Sequence, residues 1–316
     1  MTPAQLRAYS AVVRLGSVKA AAAELGVSEA AVSLHIGKLR KEFDDQLFAR
    51  AGAGLAFTPG GLRLARRAGE ILGLQDRTVW EIKDAGHGRR LLRIAASALF
   101  AEHAATGLMD LFASRAADLD LELSVERPSR FPALLADRSV DVAIGPRQRD
   151  LPQQTIAKPF LNYEIVAVVA PDHPLAGRRV TGAALRAEQW CLGPSAVGAN
   201  GQIQETTRKL GVLEANQRIF QSEAAALEET KRTRSIALAV RFAIADDLRA
   251  GRLVQLEGPG LQAHGTWTAL MLADGPPTAE ELMRFIASPR AIQAMLRGAG
   301  AKIGRFRPAV HVTLWS

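Results

Sequence analysis

Apolar residues recur along the first 85 positions of this chain at the three-and-four spacing of α-helices. Leu6, Tyr9, Val12 and Val13 mark a first helix, opened by Thr2 and Pro3 with Gln5 placed to complete a capping box. It ends near Gly16. Ser17 caps a second helix over 18–25, whose alanines at 20–23 favour helix and are small enough to let a neighbouring helix come close. Gly26 stops that helix, Val27 packs beneath the turn, and Ser28 caps a third running to about Glu42. On this third helix Val32, Ile36 and Leu39 share one face, which turns Glu29, Ala30, Ser33, Leu34, Gly37 and Lys38 outward. Two helices joined across a short turn containing Gly have the outline of a helix-turn-helix. An outward strip of short side chains is odd for a surface helix, and it suits one that lies in a major groove.

The periodicity then changes twice. "DDQLFARAGAGLAFTP" predicts two short strands, near Leu47–Arg50 and Leu55–Thr58, joined as a hairpin wing. From Thr58 and Pro59 to about Asp84 one long helix is predicted, with Leu64, Ala68, Ile71, Leu72, Gln75, Val79 and Ile82 along one stripe. A long amphipathic helix between domains usually buries its stripe against a copy of itself, so this one is expected to dimerise the chain; packing on the chain's own later domain is the alternative. Gly60, Gly61, Gly69 and Gly73 weaken its intrinsic helicity, so contacts outside the helix must hold it. "DAGHGRR", 84–90, reads as breaker and linker. Beyond it "LLRIAAS", "LDLELSV", "VDVAIGP", "YEIVAVVA", "QWCLGPS", "QRIFQS", "SIALAV" and "TWTALMLA" are predicted strands. Helical stretches such as 101–115 and 202–210 lie between them, which predicts a mostly parallel α/β body. "KPFLNYE" and "QAHGTWT" lack strong periodicity and are candidates for the places where the chain crosses between lobes.

Charge sharpens this division. Residues 1–67 carry ten Lys or Arg against five Asp or Glu, whereas the remaining 249 residues carry 30 against 27. A basic leading module on a near-neutral body points to a polyanion met by the first part. Lys19, Lys38, Arg40, Lys41 and Arg50 form the candidate phosphate rim, with Ser28 and Thr58 at the adjoining helix starts. The composition, 48% hydrophobic and 23% charged, is that of a folded globular chain. The single Cys191 excludes a disulfide framework or Cys-rich zinc site. Arg7, Arg14 and Lys19 interrupt any signal-peptide core, and no charge-free apolar run is long enough for a membrane helix, so a cytoplasmic protein without membrane contact is expected.

The segment "LRAYSAVVRLGSVKAAAAELGVSEAAVSLHIGKLRKEFDDQLFAR" with "FTPGG", followed by "VDVAIGP" and "AVVAPDHPLAG", resembles the LysR-type transcriptional regulators over essentially the whole chain. The resemblance implies an α/β protein with an N-terminal winged helix-turn-helix (1–58), a dimerising linker helix and hinge (59–89), and an effector domain (90–316). That domain is expected to have two lobes like those of periplasmic binding proteins, lobe I at about 90–160 and 266–303 and lobe II at about 161–265. Such proteins commonly assemble as tetramers, bind pseudo-palindromic double-stranded operators and respond to a small molecule between the lobes; RNA polymerase is a further candidate partner. Two departures stand out. Glu29 occupies a position where the family often has Gln, and "RSIALAVRFAIADDL" lacks the Gly-x-Gly and Pro that the family often carries there.

For the body, strand ends and helix starts pick out Ser97, Ala98, Leu99, Phe100, Pro146, Arg147, Ser195, Ala196 and Ser222 as candidate effector contacts. Arg147 and the helix N-termini favour a carboxylate, whereas Leu99 and Phe100 are more apolar than an anion site needs. "GPSAVGANG" lacks the Lys-Ser/Thr pair of a phosphate loop and the spacing of a nucleophile elbow, so it reads as a strand-to-helix turn. None of the six His lies in a metal-binding spacing. No metal, cofactor or catalytic site is expected. A periplasmic-type binding protein without DNA function and an enzyme on the same α/β fold are the rival readings, and neither has use for a basic helix-turn-helix with a wing.

Overall fold

A computed structural model of the chain describes residues 1–51, 54–85, 89–148, 151, 153–197 and 201–297. The tip of the wing (52–53), part of the linker (86–88), the Gly-rich stretch 198–200 and the lobe I tail beyond 297 lie outside the described residues, as does the side chain of Arg50. The chain divides into two compact units, 1–89 with Ala133–Val140, and 90–132 with 141–316.

In the first unit α1 (Pro3–Leu15), α2 (Val18–Leu25) and α3 (Glu29–Phe43) are followed by the hairpin of β1 (Phe48–Ala51) and β2 (Gly54–Phe57) and by α4 (Pro59–Ala85). Each of the first three helices starts on the cap its sequence offers. Thr2 and Gln5 form the reciprocal capping box, Ser17 accepts from Ala20 N–H and Ser28 accepts from Ala31 N–H. Gly16 and Gly26 end α1 and α2 in the left-handed conformation, at φ 64° and 66°. Tyr9, Val12, Ala21, Val32, Ile36, Leu39 and Leu47 fill the space between these helices and the hairpin. The wing strands begin and end one residue away from the predicted bounds. Leu47 has a positive φ of 62° and is fully buried, and Thr58 is drawn into the start of α4. The glycines of α4 prove to be sites of close approach. A Cβ at Gly61 would lie 1.9 Å from the Leu47 carbonyl oxygen, and one at Gly73 would lie 1.7 Å from that of Asp137.

The second unit contains β3 (Arg90–Ala96), then a helical run in three parts: α5 (Ala98–Phe100), a π-turn (Ala101–Ala105) and α6 (Thr106–Ala113). β4 (Leu119–Val125), α7 (Phe131–Ala136, shared with the first unit), β5 (Val142–Pro146) and the long β6 (Thr155–Val169) follow. Next come α8 (Gly182–Ala187), β7 (Trp190–Leu192), α9 (Gln202–Leu210), β8 (Gln217–Ile219), α10 (Glu223–Arg232) and β9 (Ala237–Val240). The unit closes with α11 (Ala245–Arg249), β10 (Val254–Gln255), β11 (Gln262–Leu272), α12 (Pro277–Phe285) and α13 (Pro289–Leu296).

One sheet runs β10-β6-β11-β5-β3-β4 with β9 also on β6, and β7 pairs separately with β8. The body is therefore mixed, not mostly parallel as the alternation of strands and helices predicts. β3–β4, β3–β5 and β7–β8 are parallel, whereas β6 and β11 run antiparallel to each other and to their other neighbours. The cause lies in the two segments of weak periodicity, "KPFLNYE" and "QAHGTWT", which belong to β6 and β11 and pair with each other. One end of this ribbon lies against β5 and the other end carries β9 and β10, so the same two strands serve both lobes. Trp267, fully buried, sits at the bulge in that ribbon, with Phe100 edge-on at 5.1 Å and Tyr163 stacked at 4.5 Å.

Candidate nucleic-acid interface and effector pocket

On α3 the burial pattern separates two faces. Val32, Ile36 and Leu39 are buried against α1 and α2, while Glu29, Ala30, Ser33, Leu34, Gly37 and Lys38 are exposed, Leu34 at 58%. Ser28 spends its hydroxyl on the Ala31 N–H at 3.2 Å and is itself exposed at the helix start. Lys19 and Lys41 are exposed on α2 and α3.

Two members of the expected contact set have work inside the unit. Arg40 donates from Nε to the Gln46 carbonyl at 2.7 Å and from Nη2 to the Phe48 carbonyl at 2.8 Å, and its guanidinium lies 4.9 Å above the Phe48 ring. It clamps the end of α3 to the wing. Thr58 accepts from Gly61 N–H at 2.9 Å as the cap of α4 and donates to Asp45 Oδ1 at 2.7 Å. The same Asp45 oxygen accepts from Leu47 N–H at 2.6 Å, and these hydrogen bonds, the backbone one foremost, hold its carboxyl below the usual range. Tyr9 ties α1 to α4 by donating to the Gly61 carbonyl at 2.9 Å. Burial, with the Asp45 charge adding to it, pushes this phenol up to about 12. The end of α3, the β1–β2 hairpin and the start of α4 are thus joined by hydrogen bonds through Arg40, Asp45 and Thr58.

In the second unit the expected pocket residues divide. Leu99 and Phe100 are core residues, and the Phe100 ring stands edge-on to Phe160 and Trp267. Ser97 is only 4% exposed, its N–H donating to the Ile144 carbonyl, and Ala98 is half-buried. Ala196 is buried. Ser195 and Ser222, expected to meet a ligand, already have partners inside the protein. Ser195 N–H donates to the Glu223 carboxylate at 2.9 Å, and Ser222 Oγ accepts from Ala225 N–H at 3.0 Å as the cap of α10. Pro146 and Arg147 do border open space, a cavity of about 540 Å³ lined also by Asn162, Tyr163, Gln202, His264, Gly265 and Thr266. Its floor is the β6–β11 ribbon. Gly265 stands opposite Tyr163, whose ring lies over it: a Cβ there would sit 2.3 Å from the phenol's Cζ. Burial raises the Tyr163 phenol to about 12, so it stays a neutral donor, and Thr266 donates to Asn162 Oδ1 at 2.8 Å beside it. Among the described residues no group of three or more His, Cys, Asp or Glu is placed to hold a metal, and no helix is long and apolar enough to cross a membrane.

Residues 3–62 match the bacterial regulatory helix-turn-helix model of the lysR family, and residues 85–289 match the LysR substrate binding domain. The chain belongs to the LysR family of transcriptional regulators. It is 59% identical to an uncharacterized HTH-type transcriptional regulator of Mycobacterium tuberculosis, an alignment that covers all of both chains. Its fold is similar to that of ArgP from Mycobacterium tuberculosis, with TM-score 0.61 and 21% identity over 90% of this chain and 97% of that one. It is similar also to full-length CbnR in complex with its target DNA, with TM-score 0.56 and 16% identity over 93% of this chain and 100% of that one. Of the two rival readings, a binding protein without DNA function falls with the family match of the leading module, and the regulator reading stands.

In this LysR-family regulator sequence reasoning missed Asn162, Tyr163, Gln202, His264, Gly265 and Thr266 as pocket lining. A signal was present: all but Gln202 fall in the two segments whose weak periodicity marked them as crossings. It also missed Glu102 and Glu223, for which no local signal exists, since their partners lie 121 and 28 residues away.

Proposed function

We propose that α3 enters the major groove of an operator with Glu29, Ala30, Ser33, Leu34, Gly37 and Lys38 toward the bases, while Lys19, Lys41 and Arg50 meet phosphates on either side. The single observation that supports this reading is the exposed strip on α3, in which Ala30, Ser33 and Gly37 are small, directly opposite the buried Val32, Ile36 and Leu39. Long side chains at every one of those positions would keep the helix axis away from the base edges. That a similar fold, CbnR, is found in complex with its target DNA supports duplex DNA as the partner. Arg40 and Thr58 act one step back, by holding the wing and α4.

The linker helix supplies the second copy. α4 keeps Ile71, Val79 and Ile82 of the stripe exposed, with Leu74 beside them, while Ala68 is buried, so the later part of the stripe is the seam for a partner chain. Assembly of two such dimers into a tetramer and contact with RNA polymerase follow the family pattern. The effector enters the cavity over the β6–β11 ribbon, where Arg147 offers charge and Tyr163, Gln202 and His264 offer directed hydrogen bonds, so a small carboxylate fits the lining. The site of action is the cytoplasm, where chromosomal operators are.

A gel-shift assay with the full chain on the DNA flanking its own gene tests the reading. A retarded band that competes with specific and not with random duplex, and that is lost on Ser33→Asp in a folded dimer, is the expected result. Equal affinity for all duplexes would remove the base-reading role of α3.

A further inference from the structure

The helical run after β3 is irregular at one place. It is α over Ala98–Phe100, opens into a π-turn over Ala101–Ala105 and resumes as α over Thr106–Ala113. A π-turn inside an α-helix is rare and concentrates at functional sites. Glu102 lies in that turn. Its carboxylate leaves its own helix and accepts from Glu223 N–H through Oε1 at 2.9 Å and from Ala224 N–H through Oε2 at 3.0 Å. The next free donor, Ala225 N–H, goes to Ser222 Oγ at 3.0 Å. The open donors of α10's first turn are thereby taken. Beside them the Glu223 side chain, 6% exposed, accepts from Ser195 N–H at 2.9 Å and lies so close to Gly193 that a Cβ there would sit 2.3 Å from its carboxyl carbon.

Two carboxylates therefore join three elements: the π-turn after β3, the start of α10 and the turn after β7. The first follows β3, which pairs with β4 and β5 at one end of the large sheet. The other two adjoin β7, which pairs with β8, and β9, which pairs with β6 toward the other end of that sheet. Starting a helix does not require such reach, because α3 begins on Ser28 alone and α10 has its own Ser222. What the long-range carboxylate adds is a tie between lobes, with both oxygens aligned on the positive end of a ten-residue helix.

We propose that Glu102 is a tethered internal ligand: a carboxylate of one lobe that occupies the anion donors of the other and latches the two lobes in one arrangement, which effector binding must keep or break. Only the last clause rests on the effector reading above. The latch itself is independent of DNA and of any effector. A change in lobe arrangement alters operator binding only if the two arrangements differ in affinity for DNA, which makes the latch a regulatory device and not merely a brace.

The test uses the full chain as wild type, Glu102→Ala and Glu102→Gln. Amide hydrogen exchange at Glu223 and Ala224 is expected to rise by about tenfold or more in Glu102→Ala and by less in Glu102→Gln, which keeps one acceptor oxygen, with Thr206–Leu210 of α9 unchanged as the control for folding. Acetate, compared with chloride at equal ionic strength, should slow that exchange in Glu102→Ala and leave the wild type alone. Operator affinity or DNA bending should then differ several-fold between wild type and Glu102→Ala. Equal exchange at 223 and 224 in all three proteins overturns the latch. Faster exchange with identical operator complexes overturns its regulatory role, and an acetate effect of equal size in wild type overturns the assignment of Glu102 as the occupant. If the wild type itself fails to shift specific DNA, the groove reading of α3 fails while the exchange arms still read the latch.

Discussion

α3 and α10 each begin on a serine cap, and their first turns are completed differently. α3 starts on Ser28, whose hydroxyl takes the Ala31 N–H, and nothing from farther along the chain is hydrogen-bonded to its first turn among the described residues. α10 starts on Ser222 in the same way, and its remaining donors are filled by Glu102, 121 and 122 residues away. The first helix start is left open on an exposed surface, as suits an element that meets an external polyanion. The second is closed by the protein's own anion. The same cap residue therefore marks a surface offered outward in one unit and an internal junction in the other, and the cap alone does not say which.

Breaking the core behind the outward surface should have the largest effect. Val32→Asp places an unpaired charge at a fully buried site and should cost more than about 3 kcal/mol, so calorimetry should show the first unit melting early while the second unit's transition is retained. Ser33→Asp leaves that core alone and should cost about 1 to 3 kcal/mol of operator affinity, with an unchanged circular dichroism melt. Unchanged affinity would mean that the strip does not face the bases.

The caps themselves give the next contrast. Ser28→Ala should cost about 1 kcal/mol of stability, a typical value for a lone serine cap. Ser222→Ala should cost a few tenths, because Glu102 still holds the first two donors of α10. Denaturant melts of both variants check the ranking; equal losses would deny Glu102 its share of the helix start.

Glu223 sharpens the internal side through pH. Burial is the main cause that raises its carboxyl above the usual value, with the Ser195 N–H opposing it and the Glu102 charge adding to it. A folded-state value above the unfolded one means that stability is fully present below the unfolded carboxylate range and is lost as pH rises through the raised folded value. Glu223→Gln should flatten that fall in stability–pH profiles while keeping an acceptor for Ser195. A fall of undiminished slope in the variant would assign the titration to another group. The smallest expected effect is that of Lys41→Ala, which should weaken all duplexes nearly alike and lower the salt slope of binding by about one, as expected of a phosphate contact. A change of sequence preference at unaltered slope would move Lys41 to the base edges.

How much was legible in the sequence follows the range of the interactions. The helix-turn-helix was legible because its signals are local: Thr2 with Gln5, Ser17, Ser28, Gly16 and Gly26 each act within a turn of their own position, and the apolar spacing of Val32, Ile36 and Leu39 fixes which face of α3 is inward. The same holds for α2 over Val18–Leu25, α9 over Gln202–Leu210 and β4 over Leu119–Val125. The wing's bounds slipped by one residue because Leu47 is pulled out of the strand by Asp45 and the core, a contact no periodicity contains.

Strand direction was not legible. Alternating strands and helices predict parallel pairing, but the β6–β11 partnership joins residues about a hundred positions apart, and pairing partner is a property of the closed sheet. The pocket moved for the same reason. Ser195 carries a donor that local chemistry expects, and only the folded chain brings Glu223 to fill it; the donors that follow Ser222, the N–H groups of Glu223 and Ala224, are likewise filled by Glu102. Sequence by itself determined where helices start and stop and which of their faces turn inward, since those depend on neighbours three or four residues away. Tertiary structure alone decided which polar groups remain free for a ligand, because a donor is free only if no acceptor from anywhere else in the chain has reached it first.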